Sequence, residues 1–246
     1  MIVRGMTIPG TTPNEDVWGF AGAFAWVIDG ATGVGDTEVT GGHYANRLHL
    51  ALRSAIDSLS SRGRKPALAE ILSSAIEVVS ADLPAHSTAS ASVALVRAQR
   101  SWVDYLVLGD CSVSALGDRP LHVTDQRLDS VARGERARFL RLRRDLGPDD
   151  IRTLRAHRKL VEQERAARNQ HDGYWIAAYD PVAPFHARTG RLPHRTVLLA
   201  TDGCPIKNLR FPALNEEPDL EDMIHQCAPV NESSYRDDAT LVVARP

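Results

Sequence analysis

Apolar residues recur along this chain at two periods, and the changes of period divide it into elements. Val17–Asp29 (VWGFAGAFAWVID) interleaves aromatic and aliphatic residues with glycine and predicts strands meeting at a turn over Gly19–Gly22. Helical spacing follows, with Leu48, Leu52, Ala55, Ile56 and Leu59 on one face of a first helix. A second helix, after Pro66, carries Leu68, Ile71, Leu72, Ala75, Ile76 and Val79 and stops at Leu83-Pro84. Alternation then returns over Ala89–Arg97, Trp102–Leu108 and Cys111–Leu116, with turns at 99–101 and 117–120. From about 130 to 170 the chain is helical again, broken near Gly147-Pro148, where Asp149 can cap the second piece. Tyr174–Tyr179 and Thr196–Ala200 predict two more strands, Pro218–Cys227 a short helix and Thr240–Ala244 a last strand. This order predicts an α+β, layered architecture and excludes a strictly alternating βαβ fold.

Charge changes that picture in one place. The formal net charge is only −2, yet 13 of the 29 basic residues and 7 of the 31 acidic ones fall between Arg127 and Arg168. The rest of the chain then carries a balance of −8, so carboxylates collect outside the basic block. The block reads first as a solvated helix pair with Glu162–Arg165 and Glu164–Arg168 contacts, and second as a recognition surface for acidic or phosphorylated partners. Its interspersed acids and scarce aromatics argue against nucleic-acid binding. No run of about 18 apolar residues is present, which excludes a membrane-spanning helix. The N-terminal stretch lacks a signal-like apolar run. Cys111, Cys204 and Cys227 are odd in number and far apart, which argues against a disulfide framework; together these predict a reducing, cytoplasmic setting. The histidines, His43, His49, His86, His157 and His171 among them, lack ligand spacing and are expected at the surface or at caps; the four tryptophans are expected in the core.

The acids themselves show a pattern. Asp29 ends the strand AWVID, Asp110 ends VDYLVLGD, Asp202 ends TVLLATD, and Asp237 and Asp238 directly precede ATLVVAR. An isolated strand-end Asp is usually a turn former or cap. Four such ends brought together make an oxygen cage, which selects hard divalent cations such as Mg²⁺ or Mn²⁺. Glycines follow Asp29 and Asp202, leaving room for a backbone carbonyl to approach an ion.

Five strings occur in order: Asn14-Glu15-Asp16, VIDGATG at 27–33, LGDCSVSAL at 108–116, LLATDG at 198–203 and RDDATLVV at 236–243. Together they resemble the bacterial branch of the metal-dependent protein phosphatases of type 2C, the PPM family. The resemblance implies a four-layer αββα sandwich, two antiparallel sheets flanked by helices, in one phosphatase domain over residues 1–246. The basic block at about 127–172 would be its flap. It implies two Mn²⁺ or Mg²⁺ ions and a third, weaker one. Asp29 would bridge the ions, with the Gly30 carbonyl, Asp202 and Asp237 as ligands. Glu15 and Asp16 would hold metal-bound waters, and Asp110 the third ion. The implied reaction is hydrolysis of phosphoserine or phosphothreonine on proteins by a metal-bridging water. A small-molecule phosphatase of the same fold and a non-catalytic binding module are the alternatives. Three positions depart from the family pattern. Thr11 stands where a phosphate-contacting Arg is usual, Ala31 where many members have His, and Gly109-Asp110-Cys111 where Gly-Asp-Ser is usual.

Overall fold

A computed structural model of the protein describes residues 1–10, 13–33, 39–60, 65–84, 87–117, 120–206, 209, 219–227 and 237–246. Two five-stranded antiparallel sheets face each other. One runs β2 (Asp16–Ala21), β3 (Phe24–Ala31), β4 (Ser90–Ala98), β5 (Trp102–Leu108), β8 (Arg188–Pro193). The other runs β1 (Ile2–Ile8), β10 (Ala239–Arg245), β9 (Val197–Ala200), β6 (Ser112–Ala115), β7 (Leu121–Thr124). Helices α1 (Gly41–Ser60) and α2 (Leu68–Ala81) cover the outer face of the first sheet, and α6 (Leu220–Cys227) covers the second. The result is the four-layer αββα sandwich.

Side-chain parity explains why the central strands read as almost wholly apolar. In β3, Ala25 and Val27 enter the core between the sheets, while Trp26 and Ile28 turn out beneath α1 and α2. In β4, Ala94 and Val96 face inward and Val93 and Leu95 face the helices. In β9, Val197 and Leu199 face inward and Leu198 and Ala200 meet α6. Both faces of these central strands are therefore covered, and most positions in them are buried.

Several elements differ from the sequence expectation. The β2–β3 turn lies at Gly22-Ala23, at the end of the expected span, and Gly19 sits inside β2 where a Cβ would meet His49 and Trp26. β1, β7 and β8 were not expected from the pattern. β1 and β7 are partly exposed edge strands, and β8 buries only Leu192, so none shows strong alternation. Tyr174–Tyr179 does not form a strand; its backbone makes single bridges, Ala91 with Ala177 and Arg168 with Tyr174. The basic block folds as the short α3 (Arg127–Ser130), then α4 (Arg133–Leu146) and α5 (Ile151–Ala167) as a hairpin. Its second helix is capped by Asp150, not Asp149, because Asp150 is extended and its carboxylate accepts the Arg152 N–H at 2.8 Å. The acids of this hairpin pair across it: Arg136 with Glu164 and Lys159 with Glu135, each at 2.5 Å. Trp26 and Trp175 are buried, whereas Trp18 and Trp102 are partly exposed. Cys204 is disulfide-bonded and Cys111 is free and buried, so the expectation that the cysteines form no disulfide does not hold. Among the described residues no helix is long and apolar enough to cross a membrane.

Candidate metal centre and cleft

The inward parity of the first sheet continues past its apolar core to the sandwich end, and there the residues become polar. Asp16 and Asp29 are direct cross-strand partners on β2 and β3, and Ser92 of β4 lies opposite Asp29. Asp202 follows β9 and Asp110 follows β5, and the fold brings their carboxylates to Asp29. One oxygen from each of Asp29, Asp110 and Asp202 lies within 4.8 Å of the others, a group that could hold a cation. These acids and Asp237 open onto a cleft of about 780 Å³, also lined by Glu15, Gly30, Ala31, Thr32 and Ser92.

Each acid is held by neighbours that the strings already contain. Ser92 donates to Asp110 Oδ1 at 2.6 Å. Glu15 accepts from Thr32 at 2.5 Å and from the Gly42 N–H at 3.2 Å, at the start of α1, where unpaired N–H groups favour a carboxylate. Asp238 ties the N-terminal segment down, its two oxygens accepting the Gly10 and Glu15 N–H groups at 2.7 Å each. That leaves Asp237 to face the cleft. Asp16 sits behind the cleft wall: its Oδ2 accepts from Thr201 and Thr240, each at 2.8 Å, joining the two sheets, while its Oδ1 is buried without a partner.

The glycines of the two Asp-Gly pairs have a packing reason. A Cβ on Gly30 would lie 2.5 Å from the Gly41 backbone, where α1 begins, and one on Gly203 would lie 2.0 Å from the Asp238 carbonyl. Close backbone approach thus fixes Asp29 against α1 and Asp202 against the Asp237-Asp238 pair.

Crowding like charges at a desolvated sandwich end raises carboxyl pKa values. Burial, then Asp202 and the other acids, pushes Asp29 well above the usual range. Burial, with Asp110 and Asp237, pushes Asp202 up to about 7, a hydrogen bond with Asp29 opposing. Burial pushes Asp16 up to about 6 against its two threonine bonds, and Asp237 is raised mainly by burial. An oxygen-only donor set of mutually repelling carboxylates fits hard divalent cations.

The far wall of the cleft comes from the basic block: His157, Val161, Glu164 and Arg168 of α5 and its end, with Tyr174 and Ile176 beyond. Sequence reasoning did not pick these out as lining residues; His157 is exposed as expected, and it stacks on Phe139 at 4.8 Å between centroids at the cleft wall. His49, also expected outside, accepts the Trp26 indole N–H at 3.2 Å, and His43 and His171 are exposed. Thr201 and Thr240 adjoin recognisable acids and were accessible to a closer reading. Nothing local separates Arg168 from its 12 basic neighbours in the block. Thr11 and His86 lie outside the described residues.

Comparison with solved structures places this architecture. The whole chain superposes on the PPM Ser-Thr phosphatase MsPP from Mycobacterium smegmatis, solved with cacodylate, with a TM-score of 0.57 at 18% identity, covering 98% of that chain. The Mycobacterium tuberculosis serine/threonine phosphatase PstP matches 98% of this chain and 97% of its own at 13% identity and a TM-score of 0.60. Another PstP structure, of the catalytic domain, holds 2 manganese ions; it matches at 15% identity with a TM-score of 0.58, over 98% of this chain and 96% of its own. Stp1 from Staphylococcus aureus matches at 12% identity and a TM-score of 0.59, over 99% of this chain and 94% of its own. No protein-family model and no curated protein sequence matches the chain. Over its full length, this protein has the fold of the PPM serine/threonine phosphatases.

Proposed function

We propose that the chain is a Mn²⁺- or Mg²⁺-dependent phosphatase acting on phosphoserine and phosphothreonine in proteins. Residues 1–246 would work as one catalytic unit, with the α4–α5 hairpin as a flap over the cleft. The observation that carries this reading is the convergence of Asp29, Asp110 and Asp202 within 4.8 Å at the end of a sandwich with the PPM phosphatase fold. Asp29, Asp202, Asp237 and the Gly30 carbonyl would hold two ions, with Asp110 serving a third and Glu15 and Asp16 orienting waters. When bound, such ions supply an acidified water and positive charge for an in-line attack on phosphorus. The chain's own residues do the rest. Ser92 aims Asp110, Thr32 and the start of α1 aim Glu15, and Thr201 and Thr240 lock Asp16 behind Asp29. The cleft has the volume of a small-molecule site and is bounded on one side by α5 of the hairpin.

The test is phosphate release by the purified full chain with Mn²⁺. Substrates are phosphoserine and phosphothreonine peptides, p-nitrophenyl phosphate, and nucleotide and sugar phosphates. Release that EDTA abolishes and Asp202→Asn removes supports the reading. A preference for metabolites over peptides by more than about tenfold in kcat/KM moves the substrate class to small molecules. No release from any phosphomonoester overturns the enzyme assignment.

A further inference from the structure

A phosphomonoester is a dianion, and this cleft is lined by six carboxylates: Glu15, Asp29, Asp110, Glu164, Asp202 and Asp237. Among the described lining residues only Arg168 carries a fixed positive charge. Its placement is built, not incidental. Arg168 ends α5, and Nη1 donates to the Thr88 carbonyl at 2.7 Å, 80 residues away and two residues before β4. The turn after it is closed by backbone bonds from Asn169 to the Tyr174 carbonyl (2.7 Å) and from Tyr174 to the Ala167 carbonyl (3.2 Å). Asn169 occupies the left-handed region at φ 52, and its side chain accepts the Ile176 N–H at 2.9 Å. A Cβ on Gly173 would lie 1.8 Å from the Ala167 carbonyl, so only glycine closes the turn. Ala177 then pairs with Ala91 of β4. This turn bolts Arg168 to the strand that also carries Ser92.

Among the described residues its guanidinium makes no ion pair at contact distance, and Glu164 feels its charge only from farther off. Glu164, one helical turn earlier and the natural i,i+4 partner, is taken by Arg136 across the hairpin at 2.5 Å. Nη1 is committed to Thr88 and Nε to the Tyr174 hydroxyl at 3.5 Å, while Nη2 has no hydrogen bond to a described residue. We propose that Arg168 is the anion anchor of the cleft, its guanidinium receiving phosphoryl oxygens from the hairpin wall, beside the ions that the acids would hold. The assignment rests on the reading that the cleft admits a phosphomonoester, and deepens it by naming the group that orients it.

The experiment measures inorganic phosphate binding to the Mn²⁺-loaded full chain by calorimetry, beside steady-state turnover of p-nitrophenyl phosphate. Arg168→Ala is expected to weaken phosphate binding and raise KM by roughly tenfold to a hundredfold, with Mn²⁺ affinity held within about threefold. Arg168→Lys keeps a donor for Thr88 and the charge but not the planar fork, so it falls between. Added methylguanidinium partly restores KM in the alanine variant, which a merely structural role does not allow. Should the alanine variant fail to fold, the lysine variant carries the test. Wild-type phosphate affinity in the variants, or no phosphate binding by the wild type, overturns the anchor. Arg168-dependent binding without hydrolysis keeps the anchor and removes the phosphatase reading; hydrolysis with an unchanged KM in Arg168→Ala does the reverse.

Discussion

The two walls of the cleft are made by opposite means. On the strand side burial is nearly complete: Ala25, Trp26, Val27 and Ile28 of β3 are all 0% exposed, and β4 is buried from Ser90 to Val96. On the hairpin side α4 buries none of its residues, and α5 buries only Thr153, Ala156 and Leu160. Ion pairs and the Phe139–His157 stack hold the two helices together. The difference follows from what each wall must hold. Like charges crowded at a sandwich end push each other apart, so their frame must be stiff and densely packed. A single guanidinium needs only a local seat, which the 168–177 turn supplies. The acidic wall and the Arg168 wall of the cleft therefore differ in how densely they are packed.

The largest expected effect bears on the stiff wall. Asp29→Asn should weaken Mn²⁺ binding by more than about a hundredfold, because it removes one acid of the Asp29–Asp110–Asp202 cluster, the one that is also paired with Asp16 across β2 and β3. The same change relieves repulsion and should raise the melting temperature of the metal-free protein. Calorimetric titration and thermal melts check both. A variant that lost metal and stability together would mean that Asp29 is a packing residue and that the wall is not strained by charge.

Packing substitutions compare the walls directly. Leu95→Ala, at a fully buried site beneath the helices, should cost about 2–5 kcal/mol. Leu140→Ala on α4, where the side chain is 54% exposed, should stay within about 0.5 kcal/mol. Urea denaturation measures both, and equal losses would erase the contrast.

A smaller effect comes from pH. Asp202 at about 7 and Asp16 at about 6 keep protons in the folded state that the unfolded chain releases near pH 4. Between those values the folded state binds more protons than the unfolded one, so stability falls as pH rises from about 4 to 7. Melts of EDTA-treated protein should show the decline, at about 2–4 °C for each kcal/mol lost. Saturating Mn²⁺ should flatten it, since a bound cation replaces the protons. A flat profile without metal would show that the acids are better solvated than their crowding implies.

The same contrast governs what could be read from residues alone. β3, β4, β9 and β10 announce themselves because both faces are buried, and their terminal acids stand out where the apolar run ends. The edge strand β8 buries a single leucine and leaves no alternation to read, and Tyr174–Tyr179 looks like a strand because Tyr174, Trp175, Ile176, Ala177 and Ala178 are buried while its backbone serves a turn. The carboxylates were legible as ligand candidates because each adjoins a strand. Arg168 was not, since its role depends on Thr88 and Arg136, 80 and 28 or more positions away in their respective contacts, and neither leaves a local mark. Helical spacing even suggests the wrong partner for Glu164.

That misassigned partner provides the mildest test. Glu164→Gln removes the half-buried pair with Arg136 and leaves Lys159–Glu135 in place. Partly exposed pairs contribute little, so global stability should change by less than about 1 kcal/mol. Local opening is a separate quantity, and a hairpin with so few buried side chains has little else to resist it. Hydrogen exchange should therefore quicken in α4 and α5 while the β3 and β4 amides keep their protection, and high salt should reproduce part of the effect in the wild type. Exchange that quickened equally in the strands would couple the hairpin to the sandwich core, and the two walls would then open as one unit.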